Sequence, residues 1–179
     1  DPSSLKVIAK APVGKDPHEV IASTDGKFAY VSNYGGGRYN TLAVIDLVAH
    51  KALPSIDLGP LRGPHGLAFV GGKVWFAAEA AKAVARYDPQ EKKVDWIMGT
   101  GQNRTHMVMV SEDQAHIYTS NIGSATMTFL EKGAGPRDWN ETVIPVGKGS
   151  EGFDIAPDGR ELWTANAGDG TVSVIDIAA

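Results

Sequence analysis

The chain contains no cysteine. That excludes a thiol nucleophile, a thiolate zinc site, a c-type haem attachment and a disulfide framework, and it leaves the redox compartment open. No apolar run approaches the roughly 20 residues that a membrane helix needs. Positive charge is not in excess: 17 Lys and Arg stand against 21 Asp and Glu, a net charge of −4. A nucleic-acid partner held by bulk charge is therefore not expected. Residues 1–90 carry 10 basic and 8 acidic groups, whereas residues 91–179 carry 7 and 13, so a local basic face stays open. Compact catalytic motifs are also missing. Gly149-Ser150-Glu151-Gly152 has the wrong spacing for a nucleophile elbow, and His18-Glu19 is followed by Ala22 where a zincin motif needs histidine. Gly35-Gly36-Gly37 lacks the Lys-Ser/Thr of a phosphate loop and opens no helical pattern. A chain starting at Asp1 is expected to be processed or trimmed, with any leader already removed.

What the 179 residues do contain is turn-formers, 21 Gly and 10 Pro, and a repeat. Thr24-Asp25-Gly26-Lys27 precedes Phe28-Ala29-Tyr30-Val31-Ser32-Asn33, and this frame returns at Val70–Glu79, Glu112–Asn121 and Pro157–Asn166. Its aromatic column reads Tyr30, Phe76, Tyr118, Trp163, and its end column reads Asn33, Glu79, Asn121, Asn166, in steps of 46, 42 and 45 residues. Alternating stretches follow at Thr41–Asp46, Ala83–Asp88, Ala125–Leu130 and Thr171–Asp176. Further short strands then end in Gly14, Gly59, Gly99 or Gly147. Each unit reads as four short strands, A to D, with Gly, Pro, Asn or Asp between them. A period near 45 with four strands is the signature of a β-propeller blade. The fold class expected is all-β: a propeller with four blades in this chain, its repeats at about 14–58, 59–98, 99–146 and 147–179. The four aromatics of the column are expected to be buried between neighbouring sheets.

Tyr30-Val31-Ser32-Asn33, Tyr118-Thr119-Ser120-Asn121 and Trp163-Thr164-Ala165-Asn166 resemble the Tyr-Val-Thr-Asn signature of YVTN-type propellers, and Gly170–Asp176 resembles the strand that follows it. The second unit, with Gly63–Ala68 and Val74-Trp75-Phe76, is more similar to a streptogramin lyase blade. The resemblance implies a propeller and a periplasmic or extracellular location.

Residues 5–13 read as a D strand belonging to another blade or to the last one, because the fourth repeat lacks its own. Three arrangements are open: a piece of a larger ring with a missing partner segment, a four-bladed ring closed by that strand, or a homodimer making eight blades. YVTN-type rings resemble seven-bladed ones, which take roughly 300 residues at this repeat length.

Strand A opens at Pro17-His18, Pro64-His65, Thr105-His106 and Ser150-Glu151. In a propeller these strands line the central channel, so His18, His65, His106 and Glu151 are expected to face one axis. Three imidazoles and a carboxylate are a donor set for a divalent metal ion. The resemblance to nitrous oxide reductases and streptogramin lyases likewise implies a channel metal. The bland alternative is a polar funnel whose side chains bind backbone or water. Around it, Lys15, Arg38, Arg62, Arg104 and Lys148, with Tyr34 and Tyr39, are expected to form a cationic rim suited to a small anionic ligand. His50 and His116 fall in turns on the opposite side. Two functions follow: an extracytoplasmic module that binds a ligand or protein partner through its funnel, or a metal-dependent lyase or hydrolase using the His/Glu group.

Overall fold

The computed structural model describes residues 1–135 and 138–177. Fifteen strands form four antiparallel sheets. The first blade is β1 (Pro17–Ala22), β2 (Phe28–Asn33), β3 (Thr41–Asp46) and β4 (Lys51–Asp57). The second is β5 (Pro64–Val70), β6 (Lys73–Ala78), β7 (Ala83–Asp88) and β8 (Lys93–Gly99). The third is β9 (Thr105–Val110), β10 (His116–Asn121), β11 (Thr126–Lys132) and β12 (Trp139–Pro145), and the fourth is β13 (Ser150–Ile155), β14 (Glu161–Asn166) and β15 (Thr171–Asp176). The strands of each sheet are hydrogen-bonded in chain order, and the innermost strands touch in the order β1, β5, β9, β13, which makes an arc of blades. Among the described residues no helix is long and apolar enough to cross a membrane.

Each inner strand is entered through a residue in the left-handed region: Asp16 at φ 56°, Gly63 at 69°, Arg104 at 59° and Gly149 at 68°. The carbonyl of each accepts the backbone N–H of the residue just past the second strand, namely Tyr34, Glu79, Ile122 and Ala167. The same register recurs beside it, Pro17 opposite Asn33, Pro64 opposite Ala78, Thr105 opposite Asn121 and Ser150 opposite Asn166.

This register corrects the repeat alignment. Ala78, not Glu79, stands in the asparagine column, and Trp75, not Phe76, stands with Tyr30, Tyr118 and Trp163. The cause is the second hairpin, in which the paired residues Pro64 and Ala78 stand 14 positions apart against 16 in the other three. Gly71 and Gly72, both at positive φ, close it as a two-residue turn. A one-residue slip moves every side chain of a strand to the opposite face. Phe76 accordingly packs back on the first blade with Tyr30, Leu42 and Val44, while Trp75 packs forward on Val108, Ile117 and Leu130 of the third. Both are almost fully buried, and each such side chain contributes roughly 1.5–3 kcal/mol.

The asparagine column has a structural role. Asn33 donates to Thr41 Oγ1 at 3.0 Å, Asn121 to Thr126 and Thr128 Oγ1, and Asn166 to Thr171 Oγ1 and Ser173 Oγ. These buried amides tie the second strand to the third. In the second blade both partners change together: Ala78 faces Ala83. Replacing both members of a buried polar pair by apolar groups costs little.

Among the described residues, residues 6–13 form no strand and do not pair with β15, and Leu5, Val7 and Ile8 are exposed. A place as the D strand of another blade needs a sheet beyond the four described. The aromatic column is not buried throughout: Tyr118 is half-buried and Trp163 is 48% exposed, because no described sheet packs on that face of the fourth blade.

The contrast is testable by urea denaturation. Trp75→Ala should lower stability by about 3–5 kcal/mol, whereas Trp163→Ala should change it by no more than about 0.5 kcal/mol.

Candidate functional site

The register places His18, His65, His106 and Glu151 each one residue inside β1, β5, β9 and β13, on the side where the blades converge. With Glu19, Tyr34, Arg104, Met107 and Gly152 they line a cleft of about 430 Å³. The imidazoles form a row. His18 Nδ1 lies 2.6 Å from His65 Nε2, and the rings of His65 and His106 pack at a tilt of 36° with centroids 3.7 Å apart. Gly66 permits this closeness, because a Cβ there would stand 2.6 Å from Met107 Cα and 2.8 Å from the His106 carbonyl oxygen.

The anchor of the site is Glu79. It falls just past the strand end, opening the short 3-10 turn Glu79–Ala81, and its side chain is buried. Its Oε1 accepts from Tyr34 Oη at 2.7 Å and Arg104 Nε at 2.7 Å, and its Oε2 accepts from His106 Nδ1 at 2.9 Å. Burial alone acts to raise its pKa, but the hydrogen bonds from His106, Arg104 and Tyr34 outweigh it and hold the carboxyl down at about 2. The ionised carboxylate can only accept, so His106 Nδ1 carries the proton.

The other two rings are linked to each other. His18 Nε2 faces the Asp16 carboxylate at 3.5 Å, which favours Nε2 as the protonated nitrogen of the singly protonated ring. In that tautomer His18 Nδ1 accepts and His65 Nε2–H donates to it. His65 Nδ1 then carries a lone pair, buried and without a hydrogen-bond partner among the described residues. Burial first, then the neighbouring His106 and His18, push the His65 pKa down to about 3.

The expected residues are brought together unequally. His18, His65 and His106 converge; Glu151 lines the cleft but lies outside the tight group, which is His65, Glu79 and His106, their ligand atoms all within 4.8 Å. Arg38, Arg62, Lys148 and Lys15 are exposed and lie outside the cleft lining, whereas Arg104, which lines it, is paired with Glu79. Sequence reasoning placed Glu79 in a structural column; an acid where other repeats carry Asn was the signal that it is a site residue.

No family model and no curated protein matches the chain. Solved structures do. A candidate 6-phosphogluconolactonase from Bacteroides uniformis superposes with a TM-score of 0.76 at 16% identity, over 93% of this chain and 54% of the other. Hydrazine synthase of Kuenenia stuttgartiensis gives 0.74 at 20%, over 97% and 50%. The periplasmic gluconolactonase of Pseudomonas aeruginosa gives 0.74 at 18%, over 89% and 49%. The fold is a β-propeller. At these identities the likeness carries the fold alone, and the chain spans about half the length of the structures it matches.

Two predictions follow from the cleft. His65 and Glu79 both have folded pKa values below their ordinary 6.5 and 4.5, so both favour folding at neutral pH. As pH falls below 6.5 the unfolded chain takes up a proton at His65 that the folded chain refuses until about 3, and below 4.5 the same holds for Glu79 until about 2. The melting temperature should therefore be level above pH 7 and fall in two stages below it. Gly66→Ala, which forces β5 away from β9, should cost about 1–3 kcal/mol by urea titration.

Proposed function

We propose that the cleft is the reaction site of a hydrolase acting on a small ester, a sugar lactone above all, with water activated at the His65–His106–Glu79 group. The observation that carries this is the His106–Glu79 pair. An imidazole whose Nδ1 donates to a buried, ionised carboxylate is the base-and-orienter arrangement of hydrolytic sites, here triply held through Tyr34 and Arg104. His65 adds a neutral ring with an unprotonated nitrogen beside it. The cleft is of a size for a sugar-sized molecule. Its lining contains carboxylates as well as Arg104, which suits a neutral polyol ring better than the anionic ligand expected from the sequence. Two of the similar structures are described as lactonases, one of them periplasmic, which is compatible with this substrate class and with an extracytoplasmic place.

A second reading is a module that binds a ligand or protein partner without turnover. It is favoured by the lack of any Ser, Thr or Cys among the residues lining the cleft, so the Ser-, Thr- or Cys-based acyl-enzyme route has no nucleophile there. One assay separates the two. Hydrolysis of δ-gluconolactone and 6-phosphogluconolactone is followed by acid release, for the native chain and for His106→Gln. The hydrolase reading expects a fall in kcat of about 10²–10⁴ in the variant. Lactone binding by calorimetry without acid release, or turnover unaffected by His106→Gln, decides for the module.

A further inference from the structure

We infer that the floor of the cleft is a binding site for a divalent transition-metal ion, with His65 Nδ1, His106 Nδ1 and Glu79 Oε2 as ligands. Three observations, independent of one another, carry it. The first is the donor set: two imidazoles and a carboxylate with ligand atoms within 4.8 Å, on three chain segments fixed by the same sheet register. Two histidines and one carboxylate on one side of a site leave the remaining positions open, a set used for zinc and for non-haem iron. The second is His65 Nδ1, a buried lone pair that nothing among the described residues satisfies. A buried polar atom without a partner is costly, and an electron-pair acceptor in front of it removes the cost. The third is the shell behind each ligand. His65 Nε2–H is held by His18 Nδ1, which is itself oriented by Asp16, and Glu79 Oε1 is held by Tyr34 and Arg104. Metal-ligating imidazoles and carboxylates are supported in this way by hydrogen bonds on their other atoms.

The dimensions are compatible. The His106 Nδ1 to Glu79 Oε2 separation of 2.9 Å is close to the roughly 3.0–3.3 Å between ligand atoms bound at about 2.0–2.1 Å. The ion would take the place of the proton between them, and the ring would carry its proton on Nε2 instead, by exchange with solvent, so that it binds as a neutral imidazole. The widest pair, within 4.8 Å, has to close by no more than about 1.5 Å to reach the same spacing. The local charge also suits a cation: Glu79, Glu19 and Glu151 line or floor the cleft and Asp16 stands behind His18, against Arg104 alone. His18 is thus a supporting residue, and Glu151 faces the open side of the ion.

This inference rests on the cleft being the reaction site only for its use in catalysis; the binding itself is read separately. Co(II) is titrated into the full chain and followed by its visible ligand-field absorption, with Zn(II) displacement followed by calorimetry. A single saturable band is expected. His65→Gln, His106→Gln and Glu79→Gln should each weaken it at least 100-fold, and His18→Gln by about 10–100-fold. His50→Gln, on the opposite side, should leave it unchanged. Circular dichroism is recorded for each variant, and Glu79→Asp replaces Glu79→Gln if the latter fails to fold. No saturable band, or one that persists in folded His65→Gln and His106→Gln, overturns the site. Full lactone turnover in chelated protein without a cobalt band removes the metal and leaves the hydrolase reading; a band without turnover does the reverse.

Discussion

The pairing of Pro17, Pro64, Thr105 and Ser150 with the ends of the neighbouring strands is the constraint on which the remaining structure depends. Because side chains alternate along a strand, fixing one pair fixes the facing of every residue in the blade. That single register sends Tyr30 and Trp75 forward onto the following blade and Phe76 back onto the preceding one. It aligns the residue after each pairing position, so three histidines and Glu151 arrive on the converging side. It also ends β6 at Ala78, and that puts Glu79 outside the ladder, free to turn its carboxylate into the cleft.

The left-handed residue before each inner strand makes this register repeatable. A positive φ is inexpensive at Gly63 and Gly149 but not at Asp16 and Arg104. Both of the latter carry side chains with a task. Asp16 accepts from Gly36 N–H at 3.0 Å and faces His18, and Arg104 clamps Glu79. The conformation that turns the chain into the blade also aims these two groups at the site. Strain at such positions is sustained where the surrounding hydrogen bonds determine the backbone, as the carbonyl contacts to Tyr34 and Ile122 do here.

The blades were legible because alternation, turn residues and a 45-residue period are local properties that repeat. The histidine row was legible for the same reason, since His18, His65 and His106 occupy one column. The Trp75 column and Glu79 were not, and the cause is one short turn. Gly71-Gly72 mimics Asp25-Gly26 in sequence, yet it closes a hairpin two residues shorter, so alignment on the shared Gly-Lys shifts the strand behind it by one. The basic loop residues were legible only in part. Arg38, Arg62 and Lys148 lie in loops, where sequence position gives proximity to the funnel but not the direction of the side chain.

Electrostatics then decides what kind of site the register has built. With Arg38, Arg62, Lys148 and Lys15 outside the lining, the cleft's own charges are Glu19, Glu151 and Arg104, with Glu79 bonded behind Tyr34, Arg104 and His106. Glu79 stays ionised in spite of burial because three donors meet it, and its charge in turn fixes the His106 proton on Nδ1. Asp16 favours the Nε2 proton of His18, and through it that of His65. Two carboxylates at opposite ends of the histidine row thus bias the protons of all three rings, and that arrangement leaves the unprotonated nitrogen of His65 buried without a partner among the described residues. Unlike the orphaned Asn166 Oδ1, which belongs to the strand-tying amide column, this nitrogen stands beside a carboxylate and a second imidazole that could share an ion with it. The nitrogen left open in the most buried of the three rings is therefore the atom at which this cleft is equipped to accept something from outside the chain.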